Sequence, residues 1–171
     1  MNFKLHVYAL LLTASSLLAV HPAARADDDH ASTLAIPAAY VQECGSCHAA
    51  YPPGMLPARS WQRVMATLGR HYGTDASLDA ATARRLDAWL QANAAPAGRG
   101  REEPPQDRIT RSTWFERRHR DVASSTWKLA SVRSAANCAA CHAGADRGAF
   151  DDDDLIVPAG LDARARRAWR D

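Results

Sequence analysis

Cys44-Gly45-Ser46-Cys47-His48 and Cys138-Ala139-Ala140-Cys141-His142 are two copies of one pentapeptide, Cys-x-x-Cys-His, and together they use all four cysteines of the chain. This pattern is the attachment signature of c-type haem. Each thiol adds across a vinyl group of the macrocycle to give a thioether, and the adjoining histidine is held under the iron as the proximal ligand. The expected cofactors are therefore two covalently bound haem c groups. Cys44, Cys47, Cys138 and Cys141 would form the attachments, with His48 and His142 as proximal iron ligands. Two other chemistries compete for such cysteines. An exported chain could pair them as disulfides, and C-x-x-C is also a zinc half-site. A histidine directly after both pairs favours haem over either.

The start of the chain reads as a secretory signal, residues 1–26. Lys4 supplies the charged n-region, an apolar stretch runs from Val7 to Val20, and Ala24-Arg25-Ala26 is a small-residue cleavage site. That apolar stretch is short for a membrane span, which takes about 20 residues. The expected location is the periplasm, with cleavage near Ala26 and no membrane span afterwards. Cleavage removes Lys4 and Arg25, so Lys+Arg falls from 21 to 19 and the formal net charge from +2 to 0. A basic charge balance pointing to nucleic acid is thereby lost, and nucleic acid is not an expected partner. The propionates of two haems would make the holoprotein acidic unless arginines such as Arg59, Arg63 or Arg147 pair with them.

The remaining 145 residues divide at Asn93–Gln106, where Pro, Gly and charge concentrate and apolar periodicity stops. The expected organisation is an N-terminal haem domain (27–94), a linker (95–106) and a C-terminal haem domain (107–171). Small domains bury little apolar surface, and a covalent haem plate would supply much of each core. Helical periodicity predicts a short helix over Ala38–Ala49. A second is predicted over Trp61–Tyr72, capped by Ser60 and closed by Gly73, and a third over Leu78–Ala92, capped by Ser77. Thr113-x-x-Glu116 reads as a capping box opening a helix from Trp114 to Val122. Further helices are expected through Trp127–Val132 after Ser125, at the second motif after Asn137, and over Leu161–Trp169. No stretch reads as a strand. The fold class expected is mainly α, with two small helical c-type haem domains.

Iron in an electron-transfer site takes His or Met as its sixth ligand, and Met raises the potential. Beyond the signal the chain holds Met55 and Met65, and its histidines not used as proximal ligands are His30, His71 and His119. The C-terminal half contains no methionine, so His119 is its local candidate, the alternative being a solvent histidine in an arginine-rich stretch. For the first motif the candidates are His71, Met65, Met55 or an open position. Met65 lies at the centre of an apolar helix face, where methionine more often fills a core. His30 lies close to the mature N-terminus. Trp61, Trp114 and Trp127 could wall a haem or simply pack a core, and the acidic run Asp151–Asp154 reads as a solvated turn.

Taken together, several stretches resemble the small dihaem cytochrome c family of bacterial periplasms. They are Tyr40-x-x-Glu43-Cys44-Gly45-Ser46-Cys47-His48-x-x-Tyr51-Pro52-Pro53 followed by Leu56-Pro57-x-x-Ser60-Trp61, Arg108-Ile109-Thr110 with Trp114-Phe115-x-x-x-His119, and Asn137-Cys138-Ala139-Ala140-Cys141-His142-x-Gly144-Ala145 running to Gly148-x-Phe150. The likeness spans Pro37 to Pro158, and the first module also resembles a class I cytochrome c. It implies two low-spin haems with bis-histidine ligation, His71 and His119 being the distal ligands. It further implies redox partners: an oxygen-binding monohaem cytochrome c, often beside a membrane cytochrome b.

The function expected is thus a periplasmic electron carrier, a monomer with no bond chemistry of its own. Two rivals remain open. One is a dihaem enzyme, peroxidase- or reductase-like, which needs an accessible iron and acid–base groups beside it. The other is a gas-binding haem sensor with one displaceable histidine.

Overall fold

Among the described residues four stretches form α-helix: α1 (Ala38–Cys44), α2 (Ala58–Ala66), α3 (Ala80–Ala92) and α4 (Thr113–Arg118). The computed structural model describes residues 35–96 and 102–169. Between the helices run turns and short 3₁₀ segments, and among the described residues extended pairing is limited to isolated bridges such as Pro57 with Ala95 and His142 with Leu155. The expected mainly helical class holds. The signal segment, its cleavage site and His30 lie outside the described residues, as does the middle of the expected linker.

Each helix differs from its sequence-based boundaries for a local reason. Helix α1 starts after Pro37 and stops at Cys44, short of the expected Ala49, where the Gly45 amide donates to the Val41 carbonyl at 2.9 Å. A Cβ on Gly45 would stand 2.3 Å from that oxygen, so this tight closure needs glycine. Helix α2 opens at Pro57, a residue that cannot continue a helix backwards. Ser60, expected as its cap, is instead fully buried inside it. Helix α3 is capped by Asp79, whose carboxylate accepts from the Ala81 and Thr82 amides at 3.0 Å, and not by Ser77. Helix α4 is capped by Ser112, one residue before the expected Thr113, through a bond from the Phe115 amide at 3.1 Å. It ends at Arg118, not Val122. The stretch after Ser125 forms only a 3₁₀ turn over Thr126–Lys128, the second motif forms another over Cys138–Ala140, and the last expected helix shortens to Ala165–Trp169.

The main core gathers Tyr40 from α1, Leu56, Trp61 from α2, and Leu86 and Leu90 from α3. Leu86 and Leu90 fall at i, i+4 spacing, which places them one above the other on the α3 face that meets α2. Burying each is worth about 1.5–3 kcal/mol. Trp61 is buried without cost to its indole N–H, which donates to the Pro53 carbonyl at 2.6 Å. Met65 packs against this cluster, as a core filler does. The second half buries mostly smaller side chains: Phe115, Thr126, Val132, Cys141, Ala145 and Leu161.

Both described ends of the expected linker are tied down. The Ala95 amide donates to Leu56 O at 2.9 Å. Arg63 on α2 forks onto Asp107, Nε to Oδ2 at 2.9 Å and Nη2 to Oδ1 at 2.6 Å, and reaches Glu103 at 2.7 Å. Asp107 and its neighbour Gln106 both have positive φ, 55° and 56°. The Arg63 guanidinium holds the Asp107 carboxyl below its ordinary range, against the opposing effect of burial. A carboxyl lowered in the fold contributes stability above its ordinary pKa and loses it as pH falls through the folded value. Asp107→Asn keeps a side chain that tolerates positive φ and removes the charge. At neutral pH it should lower the thermal midpoint by a few degrees, and the gap from wild type should close in acid. Melting curves across pH check this; a gap that persists below the carboxylate range would show that charge is not the cause.

Candidate haem centres

The turn Gly45-Ser46-Cys47 carries the chain from α1 to His48, with the Ser46 hydroxyl donating to Glu43 O at 3.0 Å. The His48 Nδ1–H donates to the adjacent Ala49 carbonyl at 2.7 Å. A carbonyl only accepts, so this bond places the ring proton on Nδ1 and leaves the Nε2 lone pair for a metal. The Tyr51 ring stacks on His48 with centroids 4.8 Å apart and planes at 16°.

Opposite stands His71. Its expected helix, Trp61–Tyr72, breaks early: Thr67 turns out of helical geometry at φ −122°, its hydroxyl bonding back to Arg63 O at 2.8 Å. One 3₁₀ turn follows, Leu68–Arg70, and His71 is then extended. Tyr72 and Gly73 take positive φ, 50° and 100°, so the chain reverses within His71–Thr74. This reversal aims the His71 ring at His48, with centroids 6.1 Å apart and planes 26° apart. Burial is the main reason the His71 pKa is lowered, followed by the positive fields of His48 and Arg108. All three favour the neutral ring that a metal requires. Arg108 also stacks over Tyr72, 4.2 Å from its centroid, and the Tyr72 hydroxyl donates to Asp107 O at 3.0 Å.

The second pair is built differently. His119 is not inside a helix but caps the end of α4, its Nδ1–H donating to Phe115 O at 2.9 Å and its ring stacked on Phe115 at 4.0 Å. Trp127 lies 5.8 Å from it. His142 donates from Nδ1 to Asp151 O at 3.1 Å. The rings of His119 and His142 have centroids 6.2 Å apart, with planes crossed at 77°. Burial lowers the His119 pKa, the nearby His142 adds to this, and the bond to Phe115 opposes it.

These distances test whether the residues suit a haem iron. Two imidazoles on opposite sides of one metal, each bonded at about 2 Å, have ring centroids about 6 Å apart. Both pairs meet that figure, and three of the four rings have Nδ1 committed to a carbonyl. The cysteines also suit thioethers. None of the four is in a disulfide. Burial, then Glu43, pushes the Cys44 thiol up to about 11, and burial raises Cys138 and Cys141. Zinc binds thiolate, a form that burial disfavours at Cys44, Cys138 and Cys141, whereas a thioether carries no charge. Among the described residues no three His, Cys, Asp or Glu side chains gather into a metal cage.

The profile of the dihaem cytochrome c family matches residues 40–150. The chain belongs to the dihaem cytochrome c family. Two solved structures from Rhodobacter sphaeroides are similar to it. The diheme cytochrome c shares 42% identity over 68% of this chain and 98% of its own, with a TM-score of 0.61. The DHC purified from that organism shares 45% over 66% and 95%, at 0.57. A diheme cytochrome type c from Shewanella baltica OS155 shares 35% over 72% and 96%, at 0.63. No curated protein matches. As a dihaem cytochrome c the chain binds two covalent c-type haems and has a haem-based electron-transfer role.

In this dihaem cytochrome c the residues expected to fill haem surroundings divide. Trp61 belongs to the main core, Trp127 faces His119, and Arg63 is engaged by Asp107 and Glu103. The acidic run Asp151–Asp154 is exposed, but the Asp151 carbonyl orients His142, and the Ile156 amide donates to Cys141 O at 2.7 Å. Tyr51 and Phe150, quoted from the sequence only as parts of the family resemblance and given no role there, stand against His48 and His142 at 4.8 and 5.9 Å. Tyr51 follows His48 by three residues and Phe150 follows His142 by eight. Among the described residues no helix is long and apolar enough to cross a membrane.

Proposed function

We propose that this protein is a periplasmic electron carrier with two closed irons, exported with cleavage near Ala26. The proposed ligand sets are His48 with His71 and His119 with His142, with thioethers at Cys44, Cys47, Cys138 and Cys141. Two modules, 27–94 and 107–171, each contribute one set to a monomer. The observation that carries this reading is the pair of histidine–histidine separations, 6.1 and 6.2 Å. Each haem supplies a one-electron couple when bound. The chain's own contribution would be to hold each iron between two histidines, fix their tautomers and exclude substrate from the metal. Its partners are redox proteins: an oxygen-binding monohaem cytochrome c as acceptor, and a membrane cytochrome b as a source. The basis for both is family resemblance.

One observation favours the rival with an open iron. His71 lines a cavity of about 290 Å³ with Val64, Arg70 and Tyr72. Carbon monoxide separates the two readings. Reduced carrier should show no spectral change on exposure to the gas, whereas a rapid stoichiometric shift would overturn two closed irons and replace the carrier with an enzyme or sensor.

The ring angles give an independent check. Planes 26° apart lift the degeneracy of the metal d orbitals that accept ligand π density, whereas planes crossed at 77° leave it nearly intact. Electron paramagnetic resonance of the oxidised protein should therefore contain two low-spin signals, one ordinary rhombic and one highly anisotropic. His119→Met should abolish the anisotropic one alone. Two identical rhombic signals would contradict the crossed pair.

A further inference from the structure

Tyr51 touches both haem-binding halves at once. Its ring stacks on His48, centroids 4.8 Å apart and planes at 16°. Its hydroxyl donates to the Ala136 carbonyl at 2.7 Å, across 85 residues of sequence. The Cys138 sulfur lies 3.8 Å from that same carbonyl. Thus one face of Tyr51 meets an expected iron ligand, and its far end meets a carbonyl that also lies 3.8 Å from a sulfur expected to be bonded to the other haem. The next residue continues the apposition: a Cβ at Gly148 would lie 3.7 Å from Pro52 Cγ. Burial and the neighbouring Cys138 sulfur hold the phenol protonated well above its usual range.

We infer that Tyr51 is the positioning residue for electron exchange between the two haems, joining the His48 side to the Cys138 side by a stacked ring and a hydroxyl contact. This deepens the carrier reading and rests on it. Tunnelling falls off more steeply through empty space than through packed or hydrogen-bonded atoms, so a bridge of contacts speeds exchange at fixed distance. Tyr51 is neither oxidised nor reduced. The single electron lost on one side is gained on the other, the phenol keeps its proton, and no bond forms or breaks.

The test uses the mature holoprotein and the variants Tyr51→Phe and Tyr51→Leu. One electron is injected photochemically, and its redistribution between the haems is timed. Dipolar coupling between the oxidised haems gives their separation, and titration gives their potentials. Tyr51→Phe keeps the stack and loses the hydroxyl contact, so exchange should slow several-fold. Tyr51→Leu loses both and should slow it further, with separation and potentials unchanged. Exchange at the wild-type rate in both variants would overturn the proposal and reduce Tyr51 to packing. If leucine shifts the separation, phenylalanine decides: a wild-type rate there also overturns it. Wild-type protein in which the electron never redistributes would instead overturn the carrier reading.

Discussion

Replacing His119 with alanine should turn one haem high-spin and leave the other as it was. The substitution removes the ring facing His142 at 6.2 Å, along with its stack on Phe115 and its bond to the Phe115 carbonyl. No methionine exists in the second half to take its place. The remaining walls, Phe115 and Trp127, offer no nitrogen or sulfur lone pair to the metal. Reduced variant should then bind one equivalent of carbon monoxide, where wild type binds none. Added imidazole should restore the low-spin spectrum, which a general unfolding of the second half would not permit. If both haems stay low-spin, His119 is not the ligand and another histidine reaches across.

The second large effect concerns attachment. Cys138→Ala with Cys141→Ala should leave a mature protein carrying a single haem by mass. The consequence for folding should be uneven. The first half keeps the Tyr40, Leu56, Trp61, Leu86 and Leu90 cluster, whereas the second buries little besides Phe115, Thr126, Val132, Ala145, Leu161 and Cys141 itself. Chains with so small an apolar core need a staple, metal or cofactor to hold their fold. Limited proteolysis should therefore cut beyond Pro104 while sparing α1 to α3. Equal resistance across both halves would show that the second half folds without its haem.

The attachment chemistry was legible because it is local: five consecutive residues carry it, whatever surrounds them. Counting the remaining histidines and methionines left His119 as the local candidate in the second half and His71, Met65, Met55 or an open position in the first, and only the family resemblance implied the pair His71 and His119. Helix limits were less legible. Ser112 and Thr113 are chemically near-equal caps, and the choice depends on which hydroxyl the Phe115 amide meets. Asp79 displaced Ser77 in the same way. The break at Thr67 is a tertiary matter. An uninterrupted helix to Tyr72 satisfies the local apolar pattern, but only the chain reversal at His71–Thr74 turns the His71 ring toward His48. Asp151 was illegible for a further reason, since what it contributes is a carbonyl, and every residue has one.

That last point reaches into how such a protein can vary. The acceptors that fix His48, His119 and His142 are the main-chain oxygens of Ala49, Phe115 and Asp151. Had they been carboxylates, a single codon change could erase the tautomer control. As peptide oxygens they survive any substitution at those positions, so drift can rewrite the surrounding side chains while the imidazoles keep their acceptors.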